Sequence, residues 1–253
     1  MIRYRKEEHV GFIEFAGKCT RWSDLDVVAA ELRDIRDRVR SDEDIRVLLL
    51  SGFEKIRVPA GPESPEECEG AGPGSIGMFL QPGAEVAAFD CPTIAAVADG
   101  LLGAAVEVAL ACDLRIAAEN ATFTLPSLAA GCIPCDGGTQ RLPRLVGKAK
   151  ALELLLLGST LPAPEALRIG LVNRVVNRQD LLKTVQAMAF EMASRGPIAL
   201  RFAKEAVKRG VDLTIEDGLR LEADLYFLLH TTKDRSEGIT AFQGRRKPQF
   251  HGE

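Results

Sequence analysis

The 253-residue chain reads as an α/β protein, a parallel-sheet core followed by a layer of helices. Three observations predict this. Residues 45–50 (IRVLLL) and 93–98 (TIAAVA) are short, nearly continuous apolar runs, as expected of strands buried on both faces. An amphipathic helix lies between an opening strand and the first of these runs, which makes a βαβ crossover. After Gly131 the pattern is helical almost to the end.

Residues 9–15 (HVGFIEF) alternate and suit the opening strand. Ser23 begins the first helix, where Leu25, Val28, Leu32, Ile35 and Val39 fall on one face. Ser23 with Asp26 has the form of a capping pair, and Arg33, Arg36 and Arg38 decorate the exposed side. Residues 60–75 (AGPESPEECEGAGPGS) contain four Gly, three Pro and four Glu. Such a segment buries too little surface to offset its ordering entropy, so a mobile loop is expected, either a plain insertion or a lid beside a site. After the strand at 93–98, Asp99-Gly100 turns the chain into a short helix at 103–112, and 114–117 is a further strand. Helices follow at 148–157, at 164–169 with Gly170 as the residue past its end, and at 181–194. Another spans 197–209 with Pro in its first turn, and 215–229 is the last long one. No internal repeat occurs at solenoid periods.

Composition excludes several classes. Apolar residues are 46% and charged residues 27%, so the chain is neither disordered nor fibrous. A net charge of −4 and an aromatic share of 6% give no nucleic-acid footprint and no base-stacking platform. No apolar run is long enough to span a membrane, the N-terminus has no signal-peptide core, and the cytoplasm is the expected compartment. Six cysteines in such a chain read as reduced thiols.

The residue that points to chemistry is Glu107. It is the one charged side chain in GLLGAAVEVALAC (100–112), and a helix apolar all round is a buried helix. Desolvation raises the pKa of such a carboxyl, which suits acid/base work near neutral pH, though a structural ion pair would bury a carboxylate equally well. Gly103, Ala104 and Ala105 open that helix with small side chains. Their unpaired N–H groups would stabilise an oxyanion, or their size simply allows close packing.

TIAAVADGLLGAAVEVALACDLRIAAENATFTLP, GCIPCDGGTQRLPRLVGKAKALELLLLG, EALRIGLVNRVV and DRSEGITAFQGRRKPQF follow one another in an order that resembles the enoyl-CoA hydratase/isomerase (crotonase) superfamily over almost the whole chain. The resemblance implies a crotonase-like, ββα-type spiral core over residues 1–195. It implies a C-terminal helical region, 196–253, that serves trimerisation and encloses CoA. It also implies an acyl-CoA thioester substrate whose enolate is held by two backbone N–H groups, and a homotrimer or dimer of trimers. No metal or redox cofactor is implied, because CoA arrives with the substrate. Glu107 falls on the family's first catalytic Glu, and Ala104 falls near the second oxyanion donor, in a turn one residue shorter than usual.

Two departures from the family pattern matter. The best match to the A-G-x-D loop is Ala60 to Glu63, which puts Pro62 at the first oxyanion donor. Proline has no N–H, so either Gly61 or Glu63 donates instead or this arm is missing. Ser127 stands where hydratases carry their second Glu, and a Ser is a poor base at neutral pH. Asp136, in IPCDGG, is either a replacement carboxylate or the N-cap of the helix beginning near Thr139. Cys132 and Cys135 form a C-x-x-C without the setting of a redox or zinc motif, and read as loop thiols. The basic cluster Arg245-Arg246-Lys247, beside Phe242, suits CoA phosphates by resemblance, or else forms a solvated tail. The expected activity is enoyl-CoA hydration or isomerisation with Glu107 as acid/base. A single-carboxylate isomerase or enolate-handling lyase is the alternative in the same fold, and a catalytically weak acyl-CoA-binding protein is the alternative of another class.

Overall fold

A computed structural model describes residues 1–58 and 81–253. The segment read as a mobile loop, with Gly61 and Pro62 in it, lies outside the described residues. The main sheet has six strands: β1 (Ile2–Glu7), β2 (Val10–Phe15), β3 (Val47–Ser51), β4 (Thr93–Val97), β6 (Leu114–Ala118) and β9 (Arg174–Val176), in the order β1-β2-β3-β4-β6-β9. All neighbours are parallel except the β1–β2 hairpin. A smaller sheet joins β5 (Leu101–Leu102), β7 (Thr122–Thr124) and β8 (Leu161–Pro162).

The two-residue side-chain period of the strands divides the core in two. Ile13, Phe15, Leu48, Leu50, Ala95 and Val97 face α1 (Trp22–Ser41), whose Leu25, Val28, Leu32, Ile35 and Val39 are buried as the periodicity predicts. Val10, Phe12, Val47, Leu49, Ile94 and Ala96 face the other way, onto Leu181, Val185 and Ala189 of α7 (Leu181–Ala193). On the α1 side sit α2 (Pro82–Ala87) and α3 (Ala104–Leu110). The chain continues through α4 (Gly138–Val146), α5 (Lys148–Leu157) and α6 (Ala163–Arg168), and ends after α7 in α8 (Pro197–Gly210), α9 (Ile215–Leu229) and α10 (Lys233–Gln243).

The structure corrects the element boundaries in three places. β1 precedes the expected opening strand; its charged Arg3, Arg5 and Lys6 mark an exposed edge, and its place in the sheet comes from backbone pairing with β2. The first helix begins at Trp22, so Ser23 lies inside it, and Asp24 rather than Asp26 closes its start by accepting from the N–H groups of Thr20 and Arg21. β9 continues the sheet within a stretch read as helical, because its three residues are too few to show a period. No described helix is long and apolar enough to cross a membrane.

Candidate active site

The chain leaves β4 through Asp99-Gly100, pairs briefly as β5, and turns into α3 at Gly103. Gly103 has φ +52° and ψ −117°, a conformation closed to side-chain-bearing residues, and its N–H donates to Thr124 O of β7 at 2.9 Å. A Cβ added there would meet no described residue within 4 Å. The N–H groups of Ala104 and Ala105 have no acceptor among the described residues, as expected in the first turn of a helix, and Ala104 is half-buried.

One turn further along, Glu107 is only 4% exposed. Its Oε1 accepts two backbone N–H bonds, from Asp136 and Gly138, each at 2.8 Å. Oε2 accepts none from any described residue. Burial pushes the carboxyl pKa above the usual Glu value, and the N–H groups of Gly138 and Asp136 together with the Arg141 charge offset part of that rise. The result is a desolvated carboxyl held in one orientation, with one oxygen left for chemistry.

Asp136 is buried beside it and does not cap α4. That helix starts at Gly138 with Gly137 as its N-cap, and the Asp136 carboxylate instead accepts from Gly83 and Ala84 at the start of α2. Its pKa is raised to about 7, first by burial and then by the neighbouring Glu107 charge, against the Gly83 N–H and Arg141. Arg141 and Gln81 complete the cluster. Arg141 Nη1 donates to Asp136 O at 2.6 Å, and the Gln81 side-chain amide donates to Cys135 O. Sequence reading passed over both. Arg141 carries only its place in GGTQRL as a signal, and the partner of Gln81 is 54 residues away.

The remaining candidates separate. Ser127 is buried at the head of a short turn, Ser127–Ala130, that packs on α5, and its hydroxyl bonds to no described residue. Ser127 and Asp136 lie on the same connection between β7 and α4. Cys132 and Cys135 are free thiols on it as well. Phe242 and Lys247 are exposed, and the tail beyond them is held through Arg46, which donates to Phe250 O and to Ala193 O at the end of α7. The tail anchor is thus at the end of α7, which covers the sheet face opposite Glu107, and no described contact joins Phe242 or Lys247 to Glu107 within one chain.

Comparison with known proteins agrees with the fold and its connectivity. The family model described as enoyl-CoA hydratase/isomerase matches residues 25–253. A probable enoyl-CoA hydratase of Mycobacterium leprae is 39% identical over 221 residues, 87% of this chain and 86% of that protein. A crotonyl-CoA hydratase of Syntrophomonas wolfei is 37% identical over 225 residues, 87% of this chain and 86% of that protein. The crystal structure of an enoyl-CoA hydratase from Bacillus anthracis superposes with a TM-score of 0.86 at 34% identity, covering 100% of this chain and 99% of the other.

Proposed function

The chain belongs to the enoyl-CoA hydratase/isomerase family and acts on acyl-CoA, and from that premise we propose that Glu107 is the acid/base of an enoyl-CoA reaction, with the Ala104 N–H as an oxyanion donor. One observation carries the proposal: a carboxyl 4% exposed, gripped at Oε1 by two amides, stands one helical turn from N–H groups that have no described acceptor. In hydration, a water oxygen bonds to C3 of the enoyl thioester while Glu107 takes the proton that water releases. The C2–C3 π electrons move to the thioester oxygen, which the Ala104 N–H stabilises. Glu107 then returns the proton to C2. A raised pKa suits both halves of this cycle, since the carboxylate must accept a proton and give it back near neutral pH.

Ser127 favours a second reading. Where a second carboxylate is lacking, Glu107 alone moves a proton from C2 of a 3-enoyl thioester to C4 through a dienolate, with no water added. Pro62 has no N–H, so under either reading the first oxyanion donor is Gly61 or Glu63 or that arm is missing. Crotonyl-CoA and a 3-enoyl-CoA distinguish the two. Loss of the conjugated absorbance with a gain of one water in the mass spectrum marks hydration, and a shift of the double bond at constant mass marks isomerisation. Glu107→Gln is expected to lower the observed activity by about a hundredfold or more. Tight acyl-CoA binding without turnover of any tested thioester would overturn both readings in favour of a binding protein.

A further inference from the structure

Asp136 is bonded to two segments that are distant in the chain, α2 and the helix of Glu107, and to Arg141 five residues on. Its Oδ2 accepts from the Gly83 N–H at 2.5 Å and its Oδ1 from the Ala84 N–H at 3.1 Å, closing the first turn of α2. Its own N–H donates to Glu107 Oε1 at 2.8 Å, and its carbonyl oxygen accepts from Arg141 Nη1 at 2.6 Å. Gln81 ties the same two segments a second time, through Cys135 O. The approach is close enough to dictate the residue opposite: a Cβ on Gly83 would stand 2.7 Å from Asp136 Oδ2.

We infer that Asp136 is a positioning residue for Glu107, its carboxylate locking onto α2 the loop whose amides grip Oε1. The inference rests on the role proposed for Glu107. The amides of Asp136 and Gly138 belong to an irregular connection, and donors on such a segment orient a carboxylate only if the segment itself is anchored. Asp136 supplies that anchor, because the residue that donates to Glu107 is the one whose side chain is fastened to α2. Both of its carboxylate oxygens are occupied by α2 amides, whereas Oε2 of Glu107 has no described partner. This difference separates the residue that positions from the one that reacts.

The tie also sets the charge around Glu107. The groups facing the pair are Cys135 in the same loop and Arg141 on α4, with Lys208 of α8 near Arg141. On α2, Glu85 is turned away to Arg33 and Arg36 of α1. Arg141 is the described cation that acts on both buried carboxyls, and the Glu107 charge helps hold the proton on Asp136.

The test uses the whole protein. Asp136→Asn keeps the size and one acceptor and removes the charge. It is expected to lower kcat about tenfold, well short of the loss in Glu107→Gln, with KM within about threefold. The step near pH 7 that Asp136 contributes should disappear from the pH profile. Gly83→Ala breaks the same tie from the α2 side while keeping the ionisable carboxyl, so kcat should fall by a similar factor with that step retained; if Asp136→Asn does not fold, Gly83→Ala decides. Carbon-13 NMR of the carboxyl groups, with Glu107 assigned by the resonance missing in Glu107→Gln, follows the titrations without substrate, and the step near pH 7 should be absent in Asp136→Asn. A loss in Asp136→Asn as deep as that of Glu107→Gln would make Asp136 a catalytic residue and overturn the inference. Rate and titration both unchanged would overturn it too. Full activity in Glu107→Gln would instead sink the role given to Glu107, and the NMR titration would still judge the tie.

Discussion

Gly103 isolates backbone geometry from crowding. Its φ of +52° and ψ of −117° exclude an L side chain by local sterics, and among the described residues a Cβ there would touch nothing within 4 Å. Gly103→Ala is therefore expected to cost about 1–2 kcal/mol in urea unfolding, from strain, with no cavity or clash contributing. A cost below about 0.3 kcal/mol would show that the turn relaxes. Asp136 makes a prediction of the opposite kind, in which charge decides. Its carboxyl is raised from 3.8 to about 7, so the folded protein prefers the protonated form. That stabilisation is fully present below about pH 4 and is lost as pH rises through 7. Relative to the wild type, Asp136→Asn should thus gain stability between pH 4 and 8 in denaturant titrations at a series of pH values. A difference that does not vary with pH would refute it.

At the scale of elements, α2 is the informative case. Six residues are too few to hold a helix unaided, so tertiary ties must keep it formed. Asp136 holds its start, Lys208 donates to Ala87 O at its end, and along its side Glu85 accepts from Arg33 and Arg36 of α1. The Glu85 side chain is only 10% exposed, and Glu85→Ala would leave the largely buried Arg36 only its 3.9 Å contact with the exposed Asp37, a loss of about 3 kcal/mol. Arg33 is more exposed, and Arg33→Ala should cost about 1 kcal/mol or less. Chemical unfolding of the two variants side by side checks the ranking; equal costs would contradict it. The same ties show where sequence reading reaches its limit. The face of α1, the buried runs of β3 and β4 and the isolation of Glu107 on α3 all follow local periodicity, which is why they were legible. Asp136 caps α2 rather than the helix that follows it, which capping preference does not reveal because it looks only a few residues ahead and the partner is 53 residues back in the chain. β9 pairs with β6 over three residues, a contact that only the closed sheet creates.

At the scale of the molecule, the C-terminal helices leave apolar surface uncovered. Leu225 is the one buried residue of α9, while Ile215 is 81% exposed and Phe227 67%; Val207 and Val211 at the end of α8 are exposed as well. Apolar side chains grouped on adjoining helices mark an association surface, and the periodicity that places them is the same periodicity that makes a core face. The family resemblance implies that the occupant is another copy of this chain, in a trimer or dimer of trimers, and the exposed face of α8 and α9 fits that expectation. Light scattering on the purified protein at micromolar concentration should therefore return three or six times the monomer mass. Phe227→Asp puts a charge where a neighbour would have to bury it, a penalty of several kcal/mol per site. It should shift the mass to that of the monomer while leaving the β-sheet core folded by circular dichroism. A wild-type protein that stays monomeric at that concentration would mean that this surface serves some other partner.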